Sequence, residues 1–204
     1  CNVNVAIART RGKYRDDPEI REVEALFLDL IEQAEHYVYI ETQYFASRKI
    51  TAAIARRLCH PDPPEIVIVM PETADGWLEQ VAMDTARAKF VTKLRSYDKH
   101  GRFRIFHPYT AEGTAIYVHA KVMIVDDVVL RVGSANVNNR SMGFDSECDC
   151  LIDARSAGGK ELERTINNVR TSLLAEHLGQ SEEAVGEALE NGSMLEIIER
   201  FRGD

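Results

Sequence analysis

Two apolar, β-branched runs meet in the second half of the chain, YVHAKVMIVDD (117–127) and VVLRVGSAN (128–136), joined at Asp126-Asp127. Runs of this kind predict strands, and so short a junction predicts two strands tightly joined. Further strands are predicted over YVYIETQYF (37–45), EIVIVMP (65–71), RFRIFHP (102–108) and CDCLID (148–153). Helical spacing fills the gaps. Residues 19–36 place Val23, Leu26, Phe27, Leu30, Ile31 and Ala34 on one face after Pro18. Residues 48–59 form a second helical stretch, ended by His60-Pro61-Asp62-Pro63-Pro64, and residues 76–98 a third. From Lys160 onward the pattern is helical, with breaks near Gly179-Gln180-Ser181 and Asn191-Gly192-Ser193. Strands alternating with helices predict an α/β sandwich, a mixed sheet flanked by helices. No linker, repeat or low-complexity segment divides residues 1–204, so one domain is expected, with a helical C-terminal extension over about 160–204.

Charge and composition narrow the function. The net charge is −8, from 33 acidic against 25 basic residues, which disfavours a domain that grips nucleic acid through its phosphates. No apolar run approaches the ~18 residues of a membrane span. The first residues, Cys1-Asn2-Val3-Asn4-Val5, carry no signal-peptide pattern and begin as if in a strand, so a chain cut from a longer protein is expected, cytoplasmic or at a membrane periphery. The four cysteines, Cys1, Cys59, Cys148 and Cys150, form no CxxC pair; they are expected to be buried free thiols, with Cys148 and Cys150 pointing the same way along a strand.

Within 117–136, six residues follow the spacing H-x-K-x4-D-x6-G-S-x-N: His119, Lys121, Asp126, Gly133, Ser134 and Asn136. Two residues apart on a strand, an imidazole and an ammonium leave the same face. Ser134 and Asn136 repeat that offset, and Gly133 permits close backbone approach. A phosphate between the strands would meet a cation, a hydroxyl, an amide and an imidazole. Imidazole can attack phosphorus or hand a proton to a leaving alkoxide. Lysine offsets the developing charge, and Ser134 and Asn136 donate hydrogen bonds. Asp126, the third member of the motif, is expected to pair with a cation or hold the turn. The sequence offers no carboxylate cluster for a metal, and no cofactor is expected. Taking each residue type at roughly one position in twenty, such agreement arises by chance about 10⁻⁸ times per window.

The segment resembles the HKD motif of the phospholipase D superfamily. Asn138-Asn139-Arg140-Ser141-Met142-Gly143-Phe144-Asp145-Ser146-Glu147-Cys148-Asp149 looks like the stretch after the second motif of phospholipases D, and Tyr39-Ile40-Glu41-Thr42-Gln43-Tyr44-Phe45 looks like the strand that opens their second half. Ala8-Arg9-Thr10 and the C-terminal helices are weaker likenesses. The resemblance, to the second half of a bacterial-type enzyme, implies the phospholipase D-like sandwich. It also implies two HKD motifs facing each other, one histidine attacking phosphorus and the other protonating the leaving alcohol before activating water or an acceptor alcohol. In two-motif relatives the first-motif histidine is the nucleophile, which makes His119 the general acid and base. Glu147 matches the acid that orients an imidazole, whether that of His119 or of its counterpart. Gln43 is expected to line the substrate site.

This chain carries one motif. His36, His60, His100, His107 and His177 lack the lysine that follows, and are expected as surface or core residues. Trp77 is expected as a packed or half-exposed anchor, with lipid contact the alternative. The partner is therefore a missing N-terminal half or a second copy of the chain, and the substrate a phospholipid met at the membrane periphery. The leading expectation is headgroup hydrolysis or transphosphatidylation. Alternatives are a cardiolipin-synthase-like transferase, a dimeric HKD nuclease, and an inactive regulatory half.

Overall fold

The computed structural model describes residues 3–73 and 77–202, with side chains left out over 77–86. The strands are β1 (Val5–Arg11), β2 (Ile20–Arg21), β3 (Tyr37–Glu41), β4 (Phe45–Ala46), β5 (Glu65–Val69), β6 (Phe103–Phe106), β7 (Val122–Val125), β8 (Val129–Gly133), β9 (Val137–Asn138) and β10 (Glu147–Asp153). The helices are α1 (Glu22–Gln33), α2 (Arg48–Leu58), α3 (Trp77–Tyr97), α4 (Gly159–Leu178), α5 (Glu182–Asn191) and α6 (Met194–Phe201). Eight strands form one mixed sheet in the order β2-β1-β10-β8-β7-β3-β5-β6, in which only β3–β5 and β5–β6 are parallel.

A helical layer covers each face of the centre of the sheet. On one face Phe27, Ile31, Ile54 and Leu58 from α1 and α2 pack on Val38, Ile40, Ile66, Ile68 and Met123. On the other, Ile166 and Leu174 of α4, Val185 of α5 and Ile198 of α6 pack on Tyr39, Val67, Val69 and Ile124. Strands β3 and β5 are apolar through nearly every position because both their faces are covered. The C-terminal helices thus form the second layer of the sandwich. They break where glycine and serine stand: Gly179 ends α4 in the left-handed region at φ 61°, and Ser181 and Ser193 cap α5 and α6 with their side chains.

The junction at 126–127 is a two-residue turn in which both Asp126 and Asp127 have φ of 53°, as the turn that suits twisted antiparallel strands requires. Several strands are shorter than their sequence runs, β7 most of all. The β3 ladder ends at Glu41, opposite Val122. Thr42 then hands the chain on towards β4, so residues 117–121 have no neighbour on that side and lie off the ladder. The described cysteines depart from expectation: Cys59, Cys148 and Cys150 are exposed free thiols. Cys148 and Cys150 share one face of β10, and the C-terminal helical layer, which reaches Ile152 further along that face, leaves them exposed. The side chain of Trp77 and all of Cys1 lie outside the described residues.

Candidate active site

All the motif residues but Asp126 gather at one end of the central strands, where β8 ends and β7 and β10 begin. The N–H of Gly133 donates to the carbonyl of Lys121 at 3.2 Å, so the end of β8 holds the segment just before β7. His119 is exposed and its ring makes no hydrogen bond to the described residues. Lys121 is half-buried and folds its Nζ back onto the His119 carbonyl at 2.6 Å. Burial lowers the pKa of this ammonium, with the nearby Arg131 acting in the same direction and Glu147 opposing both. A partly desolvated cation held to the histidine's own backbone suits a phosphoryl group whose charge rises during reaction.

Glu147 opens β10 and receives the Ser134 hydroxyl at 2.5 Å, while Ser134 Oγ accepts the Cys148 N–H at 3.1 Å. Asn136 accepts the Gln43 N–H on its Oδ1 at 3.2 Å, and its own N–H donates to Ser141 Oγ at 3.2 Å. With its oxygen so engaged, the side-chain NH2 of Asn136 makes no hydrogen bond among the described residues. Gln43 Nε2 donates to Tyr117 Oη at 2.6 Å and to Tyr44 Oη at 3.0 Å. His119, Lys121, Ser134, Asn136, Glu147 and Gln43 therefore share one rim.

Asp126 does not join them. It lies at the far end of β7, about 13 Å along the strand from Val122. Its carboxylate accepts the N–H groups of Glu35, His36 and Tyr37 at 2.7, 2.8 and 2.7 Å, fixing the start of β3. The sequence set Asp126 beside His119 and Lys121 as a motif member; its carboxylate is held by backbone donors at the start of β3, with no cation paired to it among the described residues. Asp127 next to it binds Arg170 and Asn167, tying the turn to α4.

Two features were missed from the sequence. Tyr117 shares the odd-numbered parity of His119 and Lys121, and that spacing alone could have marked it. Beneath the rim, Arg131 and Asp149 form an ion pair with side chains 1% and 0% exposed. Arg131 also donates to the Ala135 carbonyl at 2.9 Å, Asp149 accepts the Ala135 N–H at 3.2 Å, and the guanidinium stacks 4.7 Å from the Phe27 ring. The pair clamps the loop that carries Ser134 and Asn136. Its signal was a charge at an inward position of an otherwise apolar strand.

The model of the "Cardiolipin synthase, PLD-like domain" family matches residues 27–170. The chain is 27% identical over 207 residues to Phospholipase D zeta 2 of Arabidopsis thaliana, covering 75% of this chain and 19% of that protein. It is 27% identical over 202 residues to Phospholipase D A of Dictyostelium discoideum, covering 78% and 16%. It thus spans less than a fifth of the length of either relative. Among solved structures, the phosphatidylserine synthase of Haemophilus influenzae Rd KW20 superposes with a TM-score of 0.63 at 17% identity, over 91% of this chain and 44% of the other. NucT from Helicobacter pylori superposes at 0.57 and 18%, over 87% and 98%. At such identities these structures speak for the fold alone.

Proposed function

This chain belongs to the phospholipase D superfamily, and from that membership we propose that it is one half of a two-histidine site that cleaves and transfers phospholipid phosphodiesters. The observation that carries the reading is the exposed, unbonded imidazole of His119 beside the Lys121 ammonium, on the rim that also holds Ser134, Asn136 and Glu147.

In this reading the histidine of the complementary half attacks phosphorus, and an N–P bond forms as the P–O bond to the headgroup alcohol breaks. Protonated His119 gives its proton to the departing alkoxide. Neutral His119 then takes a proton from water or an acceptor alcohol, whose oxygen displaces the histidine from phosphorus. Lys121, Ser134 and the Asn136 NH2 hold the non-bridging oxygens. Glu147, which accepts the Ser134 proton here, accepts an imidazole N–H when the complementary half is present, freeing Ser134 to donate to phosphate. Gln43, held between Asn136 and Tyr117, lines the headgroup side. Asp126 serves through the fold.

The complementary half is the first-motif segment of the same polypeptide. Beside the rim, the outer face of β1, β10 and β8 is apolar and bare: Ile7 is 62% exposed, Val5 52% and Val132 47%, with Cys148 and Cys150 between them. Such a face calls for a cover. Transfer to an alcohol, as in a cardiolipin-synthase-like enzyme, is the second reading. It is supported by the description of the matching family, and it differs only in the acceptor.

The test is headgroup release from phosphatidylcholine vesicles in EDTA by the full-length polypeptide and by this chain alone. Release by the former and none by the latter is expected. Release by this chain alone would replace the complementary half with a second copy. Silence on phospholipids with cleavage of DNA would overturn the lipid reading.

A further inference from the structure

Behind the catalytic rim, the last turn of α4 delivers His177 into the second core. Its Nε2 lies 3.0 Å from Oε1 of Glu41, the last residue of β3, and the same oxygen accepts the Tyr39 hydroxyl at 2.6 Å. The Tyr39 and Glu41 side chains are closed off from water and His177 is mostly so: Tyr39 is 0% exposed, and the side chains of Glu41 and His177 are 3% and 14% exposed. Burial, reinforced by the Glu41 charge, raises the Tyr39 phenol well above its ordinary pKa, so this hydroxyl keeps its proton and donates. His177 Nδ1 is buried without a hydrogen-bond partner. That selects a tautomer. With the proton on Nε2, donated to Glu41, the buried Nδ1 is a bare lone pair. With a proton on Nδ1, a buried donor would be unpaired, the costlier state.

Stability is a weak reason for such a network, since burying a carboxylate costs several kcal/mol and an apolar trio of similar volume would hold the fold at least as well. Its position supplies a better one. Glu41 stands opposite Val122, the residue after Lys121. The two residues after Glu41 reach the rim: Val137 N–H donates to the Thr42 hydroxyl at 3.2 Å, and Gln43 N–H donates to Asn136. Val118 and Ala120, which alternate with His119 and Lys121, pack into the same apolar cluster as Tyr39, Leu174 and Ala175. The network therefore backs the catalytic segment from α4.

We propose that His177 is a positioning residue: through Glu41 it fixes the end of β3, and with it the places of Asn136, Gln43 and the His119–Lys121 segment. The inference rests on the proposed reaction for its kinetic consequence, but its geometric part does not. His177→Leu removes the donor to Glu41, whereas His177→Gln keeps an N–H donor at similar reach. In the full-length protein, His177→Leu is expected to lower kcat roughly 10- to 100-fold with KM within about threefold, and His177→Gln to restore most of that loss. With histidines isotopically labelled, the His119 ring resonances are expected to shift in His177→Leu and to return in His177→Gln, whatever substrate the enzyme takes. Wild-type His177 should show the Nε2–H tautomer. Unmoved His119 resonances together with unchanged kcat would overturn the proposal. So would a Gln variant that restores thermal stability but neither kcat nor the resonances. A polypeptide silent on every phosphodiester, with the resonances moving as expected, would refute the proposed reaction and leave the positioning role standing.

Discussion

Asp149 Oδ1 lies 1.9 Å from the point where a Cβ on Gly133 would stand, on the strand beside it. The glycine of the motif makes room for a protein carboxylate, and that carboxylate carries the charge of Arg131. Gly133→Ala forces Asp149 aside. Asp149→Asn leaves the Arg131 guanidinium buried without its counter-charge, a loss on the order of 3–5 kcal/mol. Urea titration of both variants should show midpoints well below wild type, with Gly133→Ala at least as damaged.

Asp126→Ala tests the division of labour within the motif. It removes the acceptor of three N–H groups at the start of β3, for a loss of about 1–3 kcal/mol in thermal unfolding. Below the melting range, kcat/KM should stay near wild type. A large fall in kcat in a well-folded variant would return Asp126 to the chemistry.

His119→Asn keeps a polar side chain at the rim and removes the proton carrier. Headgroup release by the full-length protein is expected to fall by about 10²- to 10⁴-fold while the melting temperature stays put, because the ring is exposed and makes no internal hydrogen bond. Undiminished turnover would refute the proposed mechanism.

The turn-to-helix tie gives a pH signature. Burial pushes the Asp127 carboxyl up, but the hydrogen bonds and charge of Arg170 outweigh it and hold the group below its ordinary value. A carboxylate depressed in the folded state stabilises fully above its unfolded pKa of about 3.9. That contribution is lost as pH falls through the folded value. Acid titration should therefore separate wild type from Asp127→Asn at neutral pH, and the two should converge only once the pH has fallen through the depressed folded value.

Ile7→Asp or Val132→Asp places a charge on the bare face of β1, β10 and β8. As both side chains are largely exposed in this chain, the isolated domain should keep its thermal stability. Association with the complementary half should fall by tenfold or more, read by sedimentation of the mixed halves. Unchanged association would move the contact to another surface.

Much of this was legible in the chain itself. Apolar, β-branched runs marked β3, β5, β7 and β8 because such side chains suit a pleated, packed surface, whatever lies beyond it. The breaks after α4 and α5 fell at glycine and serine, where backbone freedom and capping groups are local needs. Strand ends were less legible. Residues 117–121 have strand composition, but a ladder requires a neighbour, and β3 stops at Glu41.

The sequence by itself determined the mixed α/β layering and the grouping of His119, Lys121, Ser134 and Asn136, since these depend on spacings within one short stretch flanking a hairpin. Only the tertiary structure decided which end of the hairpin became the site, and that Asp126 went to the other end. It alone paired Asn136 with Gln43 across 93 residues and His177 with Glu41 across 136. Local spacing fixes the direction a side chain takes. The partner it finds there is set by sheet register and by the helix packed behind it, and neither is written near the residue.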